Sequence, residues 1–194
     1  MSSILLPLFI MHFCTYVIIG PTGNIERQVA AAFAPFDESL EVEPHKVYLE
    51  DVEIKRMAGH YGLQESDVPA LIEKMQDWRG SEGGIDEVGL FSRTTANPEG
   101  LWDWYEIGGR WKGNFHGRNV IKAGMLLKSS DLQEHLPFSF VTPECEWHEV
   151  EKLVDAGDFK FTVVRKSPSR WLIELKEALA RHPEHRVVCV DIHR

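Results

Sequence analysis

Apolar positions along this chain follow two periods, and the switches between them mark its elements. The run HFCTYVII, residues 12–19, is strongly β-branched and reads as a strand that enters the turn GPTGN. Ile25, Val29, Ala32, Phe33 and Phe36 then recur at helical spacing, predicting a helix over 24–34 that Pro35 stops. GPTGN lacks the Lys-Ser/Thr of a phosphate-binding loop, so it reads as a tight strand-to-helix connection. Residues 37–50 are acidic and extended, and a less regular helical region covers about 50–59. Ser66 or Asp67 caps a further helix that has Pro69 in its first turn and continues through ALIEKMQDW.

From Gly80 to Gly117 the chain is glycine-rich and reads as irregular. NVIKAGMLL reads as a strand, and PFSFVTPECEWHEVEKLV as two strands joined by a turn around 143–146. Ser167-Pro168 opens a helix through Arg181, with Trp171, Leu172, Leu175, Ala178 and Leu179 on one stripe. HRVVCVDIHR closes the chain as a strand. Strand, helix, strand, strand, helix, strand is the order of the split βαβ, ferredoxin-like α+β fold. That fold predicts one antiparallel sheet with both helices on one face and a long helical or irregular insertion over 37–135. Residues 11–194 then form a single domain behind an apolar N-terminal extension, 1–10.

Residues 2–20 are almost uncharged and near the length of a membrane span. Pro7, the missing basic n-region and the missing small-residue cleavage site argue against a span or signal peptide. The remaining bulk properties narrow the function. A chain of 194 residues with 43% hydrophobic and 26% charged residues is an ordinary globular protein. Its formal charge of −9 excludes broad binding along an extended nucleic acid, though not a local pocket for a small anion. Cys14, Cys145 and Cys189 lack any C-x-x-C spacing and fit a reducing cytoplasm. No metal site is assigned, and the cofactor is left open.

The densest chemistry lies in NPEGLWDWYEIGGRWKGNF, residues 97–115. In an extended chain Trp102 and Trp104 share a face and can sandwich a planar group, with Asp103 and Tyr105 on the other. Gly108 and Gly109 let the backbone approach a ligand and turn its N–H groups toward an anion. Arg110, followed by Trp111, adds a fork for phosphate or carboxylate, which Asp103 can instead neutralise. Three uses compete: a nucleotide-like ligand site, a protein interface, and a loop anchored on its own core.

The closing strand offers a second candidate. Val188, Val190 and Ile192 face one way, and Cys189, Asp191 and His193 the other. His12, Cys14 and Tyr16 share one face of the first strand, and His148 lies in EWHEV. A face carrying His12, His148, Asp191 and His193 is either a site, with His148, Asp191 and His193 as acid–base groups, or simply the solvent side of an antiparallel sheet.

HFCTYVIIG, APFDESLEV, NPEGLWDWYEIGGRW, FVTPECEWHEV and VVCVDIHR resemble, in that order, blocks of a family of phage and bacterial proteins with no assigned activity. The chain departs from the pattern at Gly100-Leu101, where a Lys is common, and at Cys145, near a turn glycine. The resemblance implies a phage-type accessory protein acting in a host cytoplasm, a host-interaction or anti-defence factor. Its expected partner is a nucleotide-like molecule or a host protein. The alternatives are a small phosphoesterase, metal-dependent or acid–base, and a purely structural interaction module. Oligomeric state is not legible.

Overall fold

A computed structural model describes residues 12–155 and 161–193. The expected extension at 1–10 lies outside the described residues. The protein is mixed α and β and divides into two compact units. Among the described residues, one comprises 12–40, 98–152 and 163–193, and the other 41–97 with 153–155 and 161–162.

The first unit is built on strands β1 (His12–Ile19) and β11 (Arg186–His193), antiparallel over their full length with His12 opposite His193. On its other side β1 pairs in parallel with β7 (Ser139–Val141), which pairs antiparallel with β8 (Trp147–Glu149). The outer edge of β11 takes two short strands, β5 (Trp104–Ile107) and β6 (Val120–Lys122). β9 (Glu151–Asp155) and β10 (Phe161–Arg165) form a separate two-stranded sheet.

This sheet corrects the ferredoxin-like arrangement. The strands run β11-β1-β7-β8 and include a parallel pair, whereas the expected fold places the third core strand beside the first. Its two helices also lie on opposite faces. Helix α1 (Ile25–Phe33) sets Val29 and Phe33 against Val17, Ile19, Val188 and Val190. Helix α6 (Pro168–Arg181) sets Trp171, Leu175 and Leu179 against Cys14, Tyr16, Ile18 and Cys189. The physical reason is visible in β1 and β11 themselves, which are apolar on both sides and need cover on both. The expected solvent side of the sheet is therefore a second core.

Local signals hold where they are strong. Asn24 caps α1, its Oδ1 accepting from Arg27 N–H at 2.7 Å, and Arg186 donates to the Gly20 and Thr22 carbonyls of the turn. Ser167 caps α6, and Trp171 Nε1 donates to the Pro137 carbonyl at 2.8 Å. The predicted strand at 119–127 is strand only to Lys122, and Ala123–Leu126 form the short helix α4. A second short helix, α5, covers Asp131–Glu134.

The turn joining β7 to β8 holds Cys145 at φ 59, a left-handed backbone that a side chain strains. Cys145→Gly is therefore expected to raise stability by about 1 kcal/mol, read as a higher urea midpoint at unchanged slope. A lower midpoint would show that the thiol makes a stabilising contact of its own.

The second unit pairs β2 (Glu41–Tyr48), β4 (Leu90–Ala96) and β3 (Gly83–Ile85) in the order β2-β4-β3. Helices α2 (Asp51–Tyr61) and α3 (Val68–Arg79) pack Met57, Leu71 and Met75 against Leu49 and Leu90. Of the two expected caps it is Asp67 that caps α3, and Gly62 and Gly80 end the two helices in left-handed backbone. Asp86 closes the β3–β4 turn by accepting from Val88 and Gly89 N–H. The Lys46 ammonium bonded to it draws its carboxyl down to about 2. The stretch read as irregular thus contains β3, β4 and β5. The tryptophan-rich segment is part of the first unit's sheet.

Candidate functional site

Two histidines meet where β1 begins and β11 ends. Their ring centroids lie 5.6 Å apart, and each imidazole is held by a carboxylate. His12 Nδ1 bonds Asp191 Oδ1 at 2.9 Å, and His193 Nδ1 bonds Asp103 Oδ1. A carboxylate on Nδ1 keeps the proton there in the neutral ring, leaving the lone pair on Nε2. Asp191 is almost wholly buried, while the His12 and His193 side chains keep 14% and 20% exposure. His193 Nε2 is buried with no hydrogen-bond partner among the described residues. A buried lone pair in that state costs stability and calls for a partner, which a proton, a water or a ligand would supply.

The register explains why these residues converge. His12 faces His193 and Cys14 faces Asp191 across the β1–β11 ladder, so alternation puts all four on one side. Beneath them Cys14 and Cys189 are buried with their sulfurs 3.6 Å apart. Their mutual hydrogen bond and their burial push the Cys14 thiol well above its usual range. Cys145 is the exposed thiol. In folded protein one thiol of three should react promptly with a disulfide reagent, and all three after denaturation. Two fast thiols in the native state would contradict this packing.

The Gly-Gly-Arg-Trp turn does something other than the sequence implies. β5 ends opposite Val190 and β6 begins opposite Val188, so residues 108–119 leave and rejoin the sheet edge at a single residue, Cys189. Its backbone groups close the neck, accepting from Gly108 N–H at 2.8 Å and donating to the Asn119 carbonyl at 2.8 Å. A Cβ on Gly108 would overlap the Asn119 amide, and one on Gly109 would lie 2.3 Å from Asp191 Cβ. These glycines admit no ligand. They bring the Arg110 N–H to 3.0 Å from Asp191 Oδ2, so the anion they serve is the protein's own.

The tryptophan sandwich is also corrected. Trp102 and Trp104 do not share a face, because the chain bends at Asp103 between an isolated bridge at Trp102 and the start of β5. Trp102 is buried against Phe33 and Tyr105, its Nε1 donating to the Phe33 carbonyl at 3.0 Å. Tyr105 packs with the same core, where burial raises its phenol pKa, and Trp111 packs on the opposite one. Trp104 alone is 45% exposed, with its ring 6.0 Å from His12 and edge-on to it. The Arg110 guanidinium is exposed, and Asp103 is committed to His193 rather than to Arg110.

Nor are the three proposed acid–base residues assembled. Asp191 serves His12. His148 sits on β8, with β1 and β7 between it and β11. There it stacks on Phe140 at 4.5 Å and bonds Glu174 at 3.3 Å. Burial opposes the ionised Glu174, but the Lys166 ammonium and His148 outweigh it and lower its pKa. His12 is the residue that belongs with Asp191 and His193. Its signal was the shared strand face, which alone could not say which strand lay alongside.

Among the described residues no group of three or more His, Cys, Asp or Glu is arranged to hold a metal ion, and no helix is long and apolar enough to cross a membrane. The fold and site define a mixed α+β protein with paired histidine–carboxylate couples at a sheet end. In comparisons with known proteins, no family model, curated protein or solved structure matches the chain.

Proposed function

We propose that this protein acts on a nucleotide-like phosphoester by acid–base catalysis at the His12–His193 pair. The observation that carries the reading is that two imidazoles, 5.6 Å apart, are each anchored through Nδ1 by a carboxylate. In this reading His12 Nε2 takes the proton of an attacking water or hydroxyl, and Asp191 stabilises the imidazolium that forms. In its imidazolium form His193, paired through Nδ1 with Asp103, gives its Nε2 proton to the departing oxygen and returns to the neutral ring. The exposed Trp104 ring beside His12 offers a stacking face for a base.

The test is turnover of bis-p-nitrophenyl phosphate and p-nitrophenyl phosphate, alongside calorimetry with nucleotides and cyclic dinucleotides. Hydrolysis of either ester supports the enzyme. Binding without turnover favours a second reading, a phage-type factor that captures the ligand inside a host cell. That reading draws on the sequence resemblance and on the exposure of Trp104. Neither turnover nor binding removes both.

A further inference from the structure

The loop 108–119 carries a histidine that the pair above does not use. His116 adopts φ 48, and it and Cys145 are the two non-glycine residues with left-handed backbone among those described. Glycine would take that conformation freely, so a histidine there is held against its preference. Its side chain is 71% exposed, yet its Nε2 lies 3.1 Å from Asp131 Oδ2, whose side chain is only 6% exposed. Ser129 Oγ approaches the same nitrogen at 3.4 Å and accepts from Asp131 N–H at 3.1 Å. Both groups address one nitrogen, so the three do not form a nucleophile–base–acid relay, which would need the serine on the other. Nδ1 makes no hydrogen bond among the described residues.

His116 and Asp131 line an open groove of about 500 Å³ with Arg110, Lys112, Asn114 and His135. Arg110 and Lys112 are exposed and make no ion pair among the described residues. Glu134 also lines the groove, so its charged groups are two fixed cations, two carboxylates and two imidazoles. Asp131 is turned inward to His116, which leaves Glu134 as the groove's exposed acid. Two hydrogen bonds tie its lining to the core: Asn114 Nδ2 donates to Tyr16 Oη at 2.7 Å, and Tyr16 Oη donates to the His135 carbonyl at 2.6 Å.

We infer that this groove binds a phosphate group, held by the Arg110 guanidinium and the Lys112 ammonium, with His116 Nδ1 meeting a phosphate oxygen or its hydroxyl. A guanidinium fork and an ammonium are suited to a phosphate oxyanion. A left-handed histidine beside a buried carboxylate oxygen that has no hydrogen-bond partner among the described residues is the kind of local strain found at binding sites. The inference does not require turnover at His12 and His193. Arg110 nevertheless links the two places, with its N–H on Asp191 and its side chain in the groove.

The experiment is calorimetric titration of inorganic phosphate into the full chain at low salt. Saturable one-to-one binding is expected, weakened at least tenfold in the Arg110→Ala/Lys112→Ala variant and unchanged in Lys55→Ala, an exposed lysine that does not line the groove. His116→Gly should raise the thermal midpoint by releasing the strained backbone, while also weakening phosphate binding. That paired change separates a functional strain from an accident of folding. Absence of saturable binding, or wild-type binding in the double variant, overturns the inference. So does His116→Gly that binds phosphate as the wild type does. Failure of ester hydrolysis with phosphate binding intact would count against the catalytic pair alone.

Discussion

His12→Ala and His193→Ala are each expected to lower phosphoester turnover by about 10²–10⁴-fold, the usual worth of a positioned acid or base. The two imidazoles would act on one proton-transfer sequence, so the double variant should be little worse than either single one. Both residues close the β1–β11 ladder at its end, where they contribute backbone pairs that alanine retains. Circular dichroism should therefore report an unchanged fold. His148→Ala is the matched control, because β1 and β7 separate it from the pair. Wild-type rates in His12→Ala, or equal losses in His148→Ala, would discard the assignment.

Gly109→Ala should be the most damaging single methyl in the first unit. At φ 43 its Cβ would lie 2.3 Å from Asp191 Cβ and 2.6 Å from Asp191 Oδ2. Asp191 cannot step aside, being buried and bonded to His12 and to the Arg110 N–H. Left-handed strain and overpacking together suggest a loss of about 3 kcal/mol. That corresponds to a fall of roughly 6–12 °C in thermal midpoint for a chain of this size. Gly117→Ala isolates the first contribution, since φ is 82 there but nothing lies within 4 Å of an added Cβ. It should cost about 1 kcal/mol. Equal midpoints for the two variants would mean that the Gly109–Asp191 approach is looser than described.

These expectations rest on residues that were individually visible beforehand and on partnerships that were not. Asp103 illustrates the difference. Its sequence neighbours suggested a ligand or Arg110 as its partner, but it bonds His193, ninety positions away. That choice depends on β5 pairing with the outer edge of β11, and a four-residue strand between glycine turns carries too little pattern to announce itself. Trp102 and Trp104 failed for a related reason. Alternation holds only within an unbroken strand, and one bend at Asp103 sends two rings two residues apart into different surroundings. His116 and Asp131 gave no signal, because a loop of twelve residues and a one-turn helix carry no periodic pattern that would place them together.

Alone, the sequence determined the strong periodic elements: β1, α1, α3, α6 and β11, with a cap for α3 at Ser66 or Asp67 and the split of β11 into two faces. Those are local properties, set by spacing, caps and chain breakers within a few residues. Only the tertiary structure decided that the helices cover opposite faces, that β1 lies between β11 and β7, and that Gly-Gly packs on an internal carboxylate. The reason is that apolar strand faces state a need for cover without naming what provides it. Which strand lies beside which is settled by packing over the whole unit, and the pairing of each histidine with its carboxylate follows from that.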